Sequence, residues 1–399
     1  MKKSLMALAV LGALSGAASA QSSVTLYGIV DIGLTWNEAG INKGTTGAPQ
    51  WEQESIWAVT SGNQSGSRWG LRGSEALGGN WNAVFTLESG FDLDTGLSGQ
   101  GGRLFGRQAW AGLQHNSFGT FVAGRIATPS SGTGSFDLFG AVDPFGTGFG
   151  PIGLQATFIP SGSLREDNSI AWSSPTWAGF KFGAQYSLNV NGQETAPNST
   201  NTTAVNLGAN WTWGPLFLAV TYDIIEYPDA TTATPCLGTI NGCDDQKMLQ
   251  VGGTWDFKFL KVHGAYANQD NIAVAMTTGG ATPILPPSTF VPVGKGNYNN
   301  SAWMVGLTVP LFGGSLFGSY QYSDADNIDT ATQQLEPDYS VWGIGYSYPF
   351  SRRTNAYIAY GKREWDGNIT YLSDPTGTAS QASEAFDRSY FVLGIRHLF

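Results

Sequence analysis

Two kinds of connection take turns along this chain, and their alternation limits the fold more than any other feature. Tight joins rich in Gly, Pro, Asn and Asp occur at residues 77–80, 115–119, 174–179, 213–215, 256–258, 310–314 and 349–353. Long polar segments stand between and around them, at residues 37–66, 92–103, 127–165, 189–203, 226–245, 268–297, 323–337 and 363–386. If each long segment joins the two strands of one hairpin, eight segments give about sixteen antiparallel strands, and the count is even. A soluble propeller or sandwich also supplies many short strands, but it does not sort its connections into two alternating classes.

The stretches between connections have the two-residue period of a strand. Val24, Leu26, Gly28, Val30, Ile32, Leu34 and Trp36 share one face, and Thr25, Tyr27, Ile29, Asp31, Gly33 and Thr35 the other. Apolar out and polar in is the pattern of a strand whose outer face meets lipid. The composition agrees: charged residues make up only 13% and aromatics 13%, with 54 glycines, whereas a soluble domain carries about 25% charge. Beyond the first twenty residues no run of roughly 18 apolar residues exists, so helical membrane spans are excluded. The last nine residues, Phe391 to Phe399, alternate as well, and they end on a bare aromatic. They are expected to pair with Val24–Trp36 and close the sheet, since closure removes an unpaired edge that lipid cannot solvate. Phe391, Leu393 and Ile395 should then face lipid and Arg396 the lumen. Trp211, Trp213, Tyr346, Tyr348 and Phe399 fall at strand ends, where a membrane interface favours aromatics. The predicted fold is all-β, a transmembrane antiparallel barrel of about 16 strands with short periplasmic turns and long external loops.

Residues 1–20 read as a cleaved export signal, with Lys2 and Lys3, an apolar core from Leu5 to Leu14, and the small residues Ala18-Ser19-Ala20 before the cut. A retained anchor is the competing reading, but the apolar core is too short to span a bilayer. Residues 21–399 form one barrel domain on this reading. Without Lys2 and Lys3 the 20 basic side chains fall to 18, against 30 acidic ones, a balance of −12 that argues against a nucleic-acid partner. Cys236 and Cys243 lie close together in a polar segment and, in an oxidising compartment, are expected to form a loop disulfide. Metal ligation is the alternative, weakened by the lack of a neighbouring histidine. No metal and no cofactor is expected.

Several stretches resemble the general, trimeric porins of Gram-negative outer membranes, in the branch typical of β-proteobacteria. They are Ser23-Val24-Thr25-Leu26-Tyr27-Gly28 with Asp31, Ser67-Arg68-Trp69-Gly70-Leu71-Arg72-Gly73-Ser74-Glu75, Phe85-Thr86-Leu87-Glu88-Ser89-Gly90-Phe91, Arg107-Gln108-Ala109-Trp110-Ala111-Gly112-Leu113, Phe118-Gly119-Thr120 with Gly124-Arg125, Asn168-Ser169-Ile170 with Ser174-Pro175, and Gly394 to Phe399. The resemblance implies a homotrimer, each barrel enclosing its own water-filled pore narrowed by the third long loop, residues 127–165. Asp143-Pro144-Phe145-Gly146 in that loop looks like the acidic Pro/Phe/Gly turn of such constriction loops, in altered order. The resemblance also implies that Phe399 is the aromatic through which the outer-membrane assembly machinery recognises the chain, and that lipid and lipopolysaccharide surround the barrel.

Passive permeation needs a polar lumen and a narrow point whose fixed charges bias entry. Arg68 and Arg72 share a face opposite Trp69 and Leu71, which places both in the lumen. Arg107, Arg125 and Arg165 follow in the same region, and Lys181 alternates with Phe180 and Phe182. A cationic side chain facing lipid at mid-depth costs about 2–4 kcal/mol, so inward is the favoured direction. Glu88 on the wall and Asp137 and Asp143 on the third loop should oppose these cations. By resemblance Arg68, Arg107 and Arg165 line the constriction; the alternative is that some arginines only tie the loop to the wall. The expected function is diffusion of small hydrophilic solutes and ions, with weak anion preference. In residues 118–126 Phe121 and Ala123 share the parity of Arg125, which fits a strand at a subunit contact or one beneath the third loop, where its inner face is covered by protein. Two other classes stay open: a surface adhesin or receptor built on a plugged barrel, and an outer-membrane hydrolase. The latter has little support, since His115, His263 and His397 have no neighbouring nucleophile pattern.

Overall fold

The computed structural model describes residues 23–42, 51–158, 164–228, 245–272, 298–326, 328–329, 333–335, 338–365, 369–371 and 387–399. The export signal and the Cys236 and Cys243 pair lie outside them. A closed antiparallel barrel of 16 strands fills this set. In chain order the strands are β1 Ser23–Asn42, β2 in two pieces, Trp51–Ser61 and Arg68–Gly78, β3 Trp81–Gly90, β4 Gln108–His115, β5 Gly119–Ala127, β6 Arg165–Ser173, β7 Phe180–Ser187 and β8 Thr203–Trp213. They continue as β9 Leu216–Glu226, β10 Gln246–Asp256, β11 Lys261–Ile272, β12 Tyr298–Leu311, β13 Gly314–Ala325, β14 Tyr339–Pro349, β15 Thr354–Trp365 and β16 Arg388–Leu398. Each pairs with its neighbour in sequence, and β16 pairs with β1 from Ile29↔Leu398 to Ala39↔Arg388. The bonds between Gly28 and Phe399, one in each direction at 3.2 and 3.1 Å, carry the seam to the last residue.

The tight turns come where the glycines and asparagines predicted them. Asn80 and Phe312 adopt positive φ beside Gly79 and Gly313, the backbone that short hairpins of right-handed twist require. Outside, Leu34, Ile170, Leu207, Val251, Val305, Ile344 and Leu393 are exposed. Inside, Thr35, Asn206, Thr221, Gln250, Gln269 and Gln321 are buried. This inversion of the usual core suits a wall between lipid and water. Phe180, Trp211 and Trp213 stack in series near the turns, with centroids 5.3 and 6.0 Å apart.

The first connection differs from the expected 37–66 loop. The hairpin continues to Asn42 and resumes at Trp51, because Trp57 and Val59 still point outward while Ala58 and Thr60 keep the other face. The second strand is then interrupted at residues 62–67, and this excursion turns inward. Its amides at Gln64 and Ser65 donate to the Asp31 carboxylate at 2.9 and 2.6 Å, so an inward acid on β1 supplies the acceptors that the broken ladder lost.

Inside the barrel, residues 128–158 of the third loop run along the inner wall from β4 round to β16. Phe136 packs on Trp110, Val122, Ile126 and Ala171. Phe139, Val142, Leu154 and Phe158 pack on Ala219, Ala267, Ala302 and Met304. Phe145, Phe149 and Ile152 meet Phe317, Val341, Tyr357, Ala359 and Val392. Polar contacts fix the loop at intervals: His263 Nδ1 lies 2.8 Å from the Val142 carbonyl, Gln321 donates to the carbonyls of Ile152 and Gly153, and Tyr339 donates to that of Ala156.

The wall is notched where the loop presses on it. A Cβ added at Gly183 or Gly208 would come within 3.0 or 2.9 Å of Leu138, at Gly252 2.8 Å from Val142, at Gly306 2.8 Å from Pro144, and at Gly361 2.7 Å from Ile152. At Gly343 it would lie 2.9 Å from Phe145 and 3.1 Å from Ile152. Overpacking such a site costs about 1–3 kcal/mol. Gly343→Val is therefore expected to lower the thermal unfolding midpoint in detergent and to change single-channel conductance as the loop shifts. Gly264→Ala, whose added Cβ meets only the Met304 carbonyl oxygen at 4.0 Å, should leave both unchanged.

Candidate functional site

Because the third loop covers the inside of β4 to β16, one arc of wall stays bare, and an open lumen of about 810 Å³ lies against it. Tyr27 and Ile29 come from β1, Arg68 and Arg72 from β2, Thr86 and Glu88 from β3, and Arg107 from the segment entering β4. The loop contributes Gly132, Thr133, Ser135, Asp137 and Thr147 to the opposite side, and Arg165 closes it at the start of β6. Register explains the wall. Arg68 and Arg72 occupy the parity of Gly70, whose added Cβ would meet the Tyr27 ring, so both guanidinium groups point inward.

Arg107 and Glu88 form an ion pair at 2.7 Å, and Tyr27 donates its hydroxyl to the other Glu88 oxygen at 3.0 Å. The Arg72 guanidinium lies 5.2 Å over the Tyr27 ring. Five arginines border the opening, Arg68, Arg72, Arg107, Arg165 and Arg353, against the two carboxylates Glu88 and Asp137. The local field is therefore positive although the chain as a whole is acidic, because charge beyond about 8–10 Å is screened.

Three of the residues expected at the constriction stand elsewhere. Arg125 donates to the Gly106 carbonyl at 2.7 Å and to Asp167 at 2.6 Å, and Arg103 pairs with the same carboxylate. It ties the second loop to β6, away from the opening. A bulge between Gly124 and Ile126 shifts the register there, which frees Arg125 from the outward parity of Phe121 and Ala123. Val122 and Ile126 lie beneath Phe136 of the third loop, so the inner face of this strand is covered by protein. Lys181 lies on the wall arc that the loop covers, in register with Asn210. Asp143 points into the loop, accepting the amides of Phe145, Thr147 and Leu154 at 2.9, 2.8 and 3.2 Å. The acid holds the turn together and does not face the arginines.

Asp137 combines both tasks. Its Oδ1 accepts amides from Gly132, Phe139 and Gly140, and its carboxylate borders the opening. Burial pushes its pKa up to about 6, against the opposing pull of those amides and of the Lys181 ammonium. Parity alone had placed Arg396 inside; there it donates to Ser65 at 2.9 Å and to Asn355 at 3.1 Å. Gln64, Ser65 and Arg353 were not foreseen at the opening, because a polar excursion and a turn residue have no parity to read.

A family model described as Gram-negative porin matches residues 7–368. An outer membrane porin of Bordetella pertussis is 34% identical to this chain, and outer membrane porin protein 32 of Delftia acidovorans 30%, each alignment covering 100% of both chains. An anion-selective porin from Comamonas acidovorans superposes with a TM-score of 0.65 at 22% identity, covering 95% of this chain and 100% of that one. A trimer form of OmpT from Vibrio cholerae gives a TM-score of 0.56 at 16% identity, covering 95% and 99%.

Above pH 6 Asp137 is ionised and opposes the arginines, and below it the group is neutral. The anion-to-cation permeability ratio is therefore expected to rise as pH falls from about 7.5 to 5, since a group titrating near 6 changes charge across that window. Asp137→Asn keeps an oxygen acceptor for the three amides and should remove this part of the pH response. Reversal potentials in a salt gradient measure both.

Proposed function

The chain belongs to the Gram-negative porin family, an outer-membrane channel and not an enzyme, and we propose that its pore passes small hydrophilic solutes with weak preference for anions. The single observation behind this preference is the bare arc of wall, where five arginines face two carboxylates across the opening. Arg68, Arg107 and Arg165 form the core of that field, and Glu88 moderates it by pairing with Arg107. Fixed charges at a narrow point act on a permeating ion without bulk-water screening, so a small imbalance biases entry. The inserted loop leaves a cavity of about 810 Å³ beside β1 to β3, which argues against a plugged receptor barrel.

The finer assignments follow the same reading. The assembly is a homotrimer set in lipid and lipopolysaccharide, residues 1–20 are removed on export, and Cys236 bonds Cys243. Phe399 serves as the signal for the outer-membrane assembly machinery. Its ring lies over Gly28, where an added Cβ would come within 2.2 Å of it, so the end residue is held at the seam on the outer face.

In planar bilayers the purified protein should open in steps of three and show an anion-directed reversal potential in a KCl gradient. Arg68→Gln with Arg107→Gln should move that potential toward cations. Cation selectivity of the unmodified channel, or no movement in the double variant, would overturn the charge assignment. Deleting Phe399 should cut the yield of folded protein in the outer membrane severalfold while the molecules that fold conduct normally. Normal yield with altered conductance would show the ring to be an interface anchor alone.

A further inference from the structure

Three inward arginines are held by protein partners: Arg107 has Glu88, Arg125 has Asp167, and Arg396 has Ser65 and Asn355. Arg363 on β15 and Arg388 on β16 are different. They lie directly opposite each other in register, on the parity that puts Tyr357, Ala359, Tyr390 and Val392 inside. Both are half-buried. The Arg363 guanidinium lies 4.0 Å over the ring of Tyr339, and its Nε is buried without a partner. The nearest acids in sequence, Glu364 and Asp387, sit on the opposite parity and pair with Lys362. Among the described residues no carboxylate bonds to either guanidinium.

Like charges opposed on one face of an antiparallel pair repel. Two guanidinium forks on register-paired residues, one of them stacked on an aromatic ring, suit an oxyanion that bridges both, because arginine binds carboxylate and phosphate through paired N–H donors. We propose that Arg363 and Arg388 form an oxyanion-binding station on the loop side of the lumen, which takes small solutes bearing a phosphate or two carboxylates before they reach the constriction. It stands apart from the Arg68, Arg107 and Arg165 cluster. Arg388 is eight residues along β16 from Arg396, roughly 27 Å at about 3.4 Å per residue, and Arg396 reaches the edge of the opening through Ser65. The station rests on the reading of the pore as anion-preferring.

The test uses the full-length channel in planar bilayers, with inorganic phosphate and, separately, succinate added on the loop side in KCl. Each probe is expected to reduce chloride current saturably. Arg363→Gln with Arg388→Gln should raise the half-blocking concentration by about tenfold or more, the loss expected for charge-assisted hydrogen bonds. Arg388→Glu supplies an internal partner for Arg363, and it should abolish block while raising the thermal unfolding midpoint. This variant keeps the test decisive should the double glutamine variant fold poorly. A response to phosphate and not succinate, or the reverse, identifies which oxyanion is taken. Absence of saturable block in the unmodified channel, or unchanged block in Arg388→Glu, would overturn the station. Cation selectivity in KCl alone would overturn the anion-preferring pore, and the block measurement would still report on the arginine pair separately.

Discussion

Every backbone amide and carbonyl in a hydrocarbon layer must find its partner within the protein, since an unmet one costs several kcal/mol. This single demand explains why β16 returns to β1 and why their pairing continues to the last residue, where Phe399 exchanges hydrogen bonds with Gly28. The same demand governs the break in β2. When residues 62–67 leave the ladder, Asp31 takes up the amides of Gln64 and Ser65, while Tyr357 donates to the other oxygen of that carboxylate. A strand can bend into the lumen only because an inward acid waits there.

Closure by itself would leave a wide tube, and the third loop narrows it. The loop is a hydrophobic object in a polar lumen, so the wall must change character where the two meet. Inward positions that would otherwise carry Gln or Thr become Gly or Ala, and Phe139, Phe145, Phe149 and Ile152 occupy the space. The loop acids serve this placement first: Asp143 and Asp137 gather backbone amides into tight turns. The charged groups at the opening are therefore mainly arginines of the wall.

Much of the fold could be read from residue pattern because both of its periodicities are local. The two-residue alternation set the faces of β1, β2 and β16, and turn residues marked the seven tight joins. The loops were harder. Polar composition alone merged the outer part of the first hairpin, the excursion and the loop between them into one segment, although Trp57 and Val59 still obey strand parity. The same rule was applicable to Arg363 and Arg388, which fell at the margins of a segment taken as loop. For the site, parity placed Arg68 and Arg72 in the lumen, but it failed at Arg125, since a bulge resets the phase and has no sequence marker beyond Gly124. The direction of Asp143 depended on which amides lay nearby, and that is a property of the folded loop.

The notches in the wall also divide the barrel by its tolerance to change. Along most of the circumference an inward substitution must answer to the loop, so drift there is felt first as instability. Along β1 to β3 the inward side chains of Arg68, Arg72 and Thr86 border the opening instead of the loop. A population under pressure from a toxic solute could therefore narrow, widen or recharge the passage through that short arc while the rest of the barrel stayed untouched. Permeability would then evolve almost independently of folding.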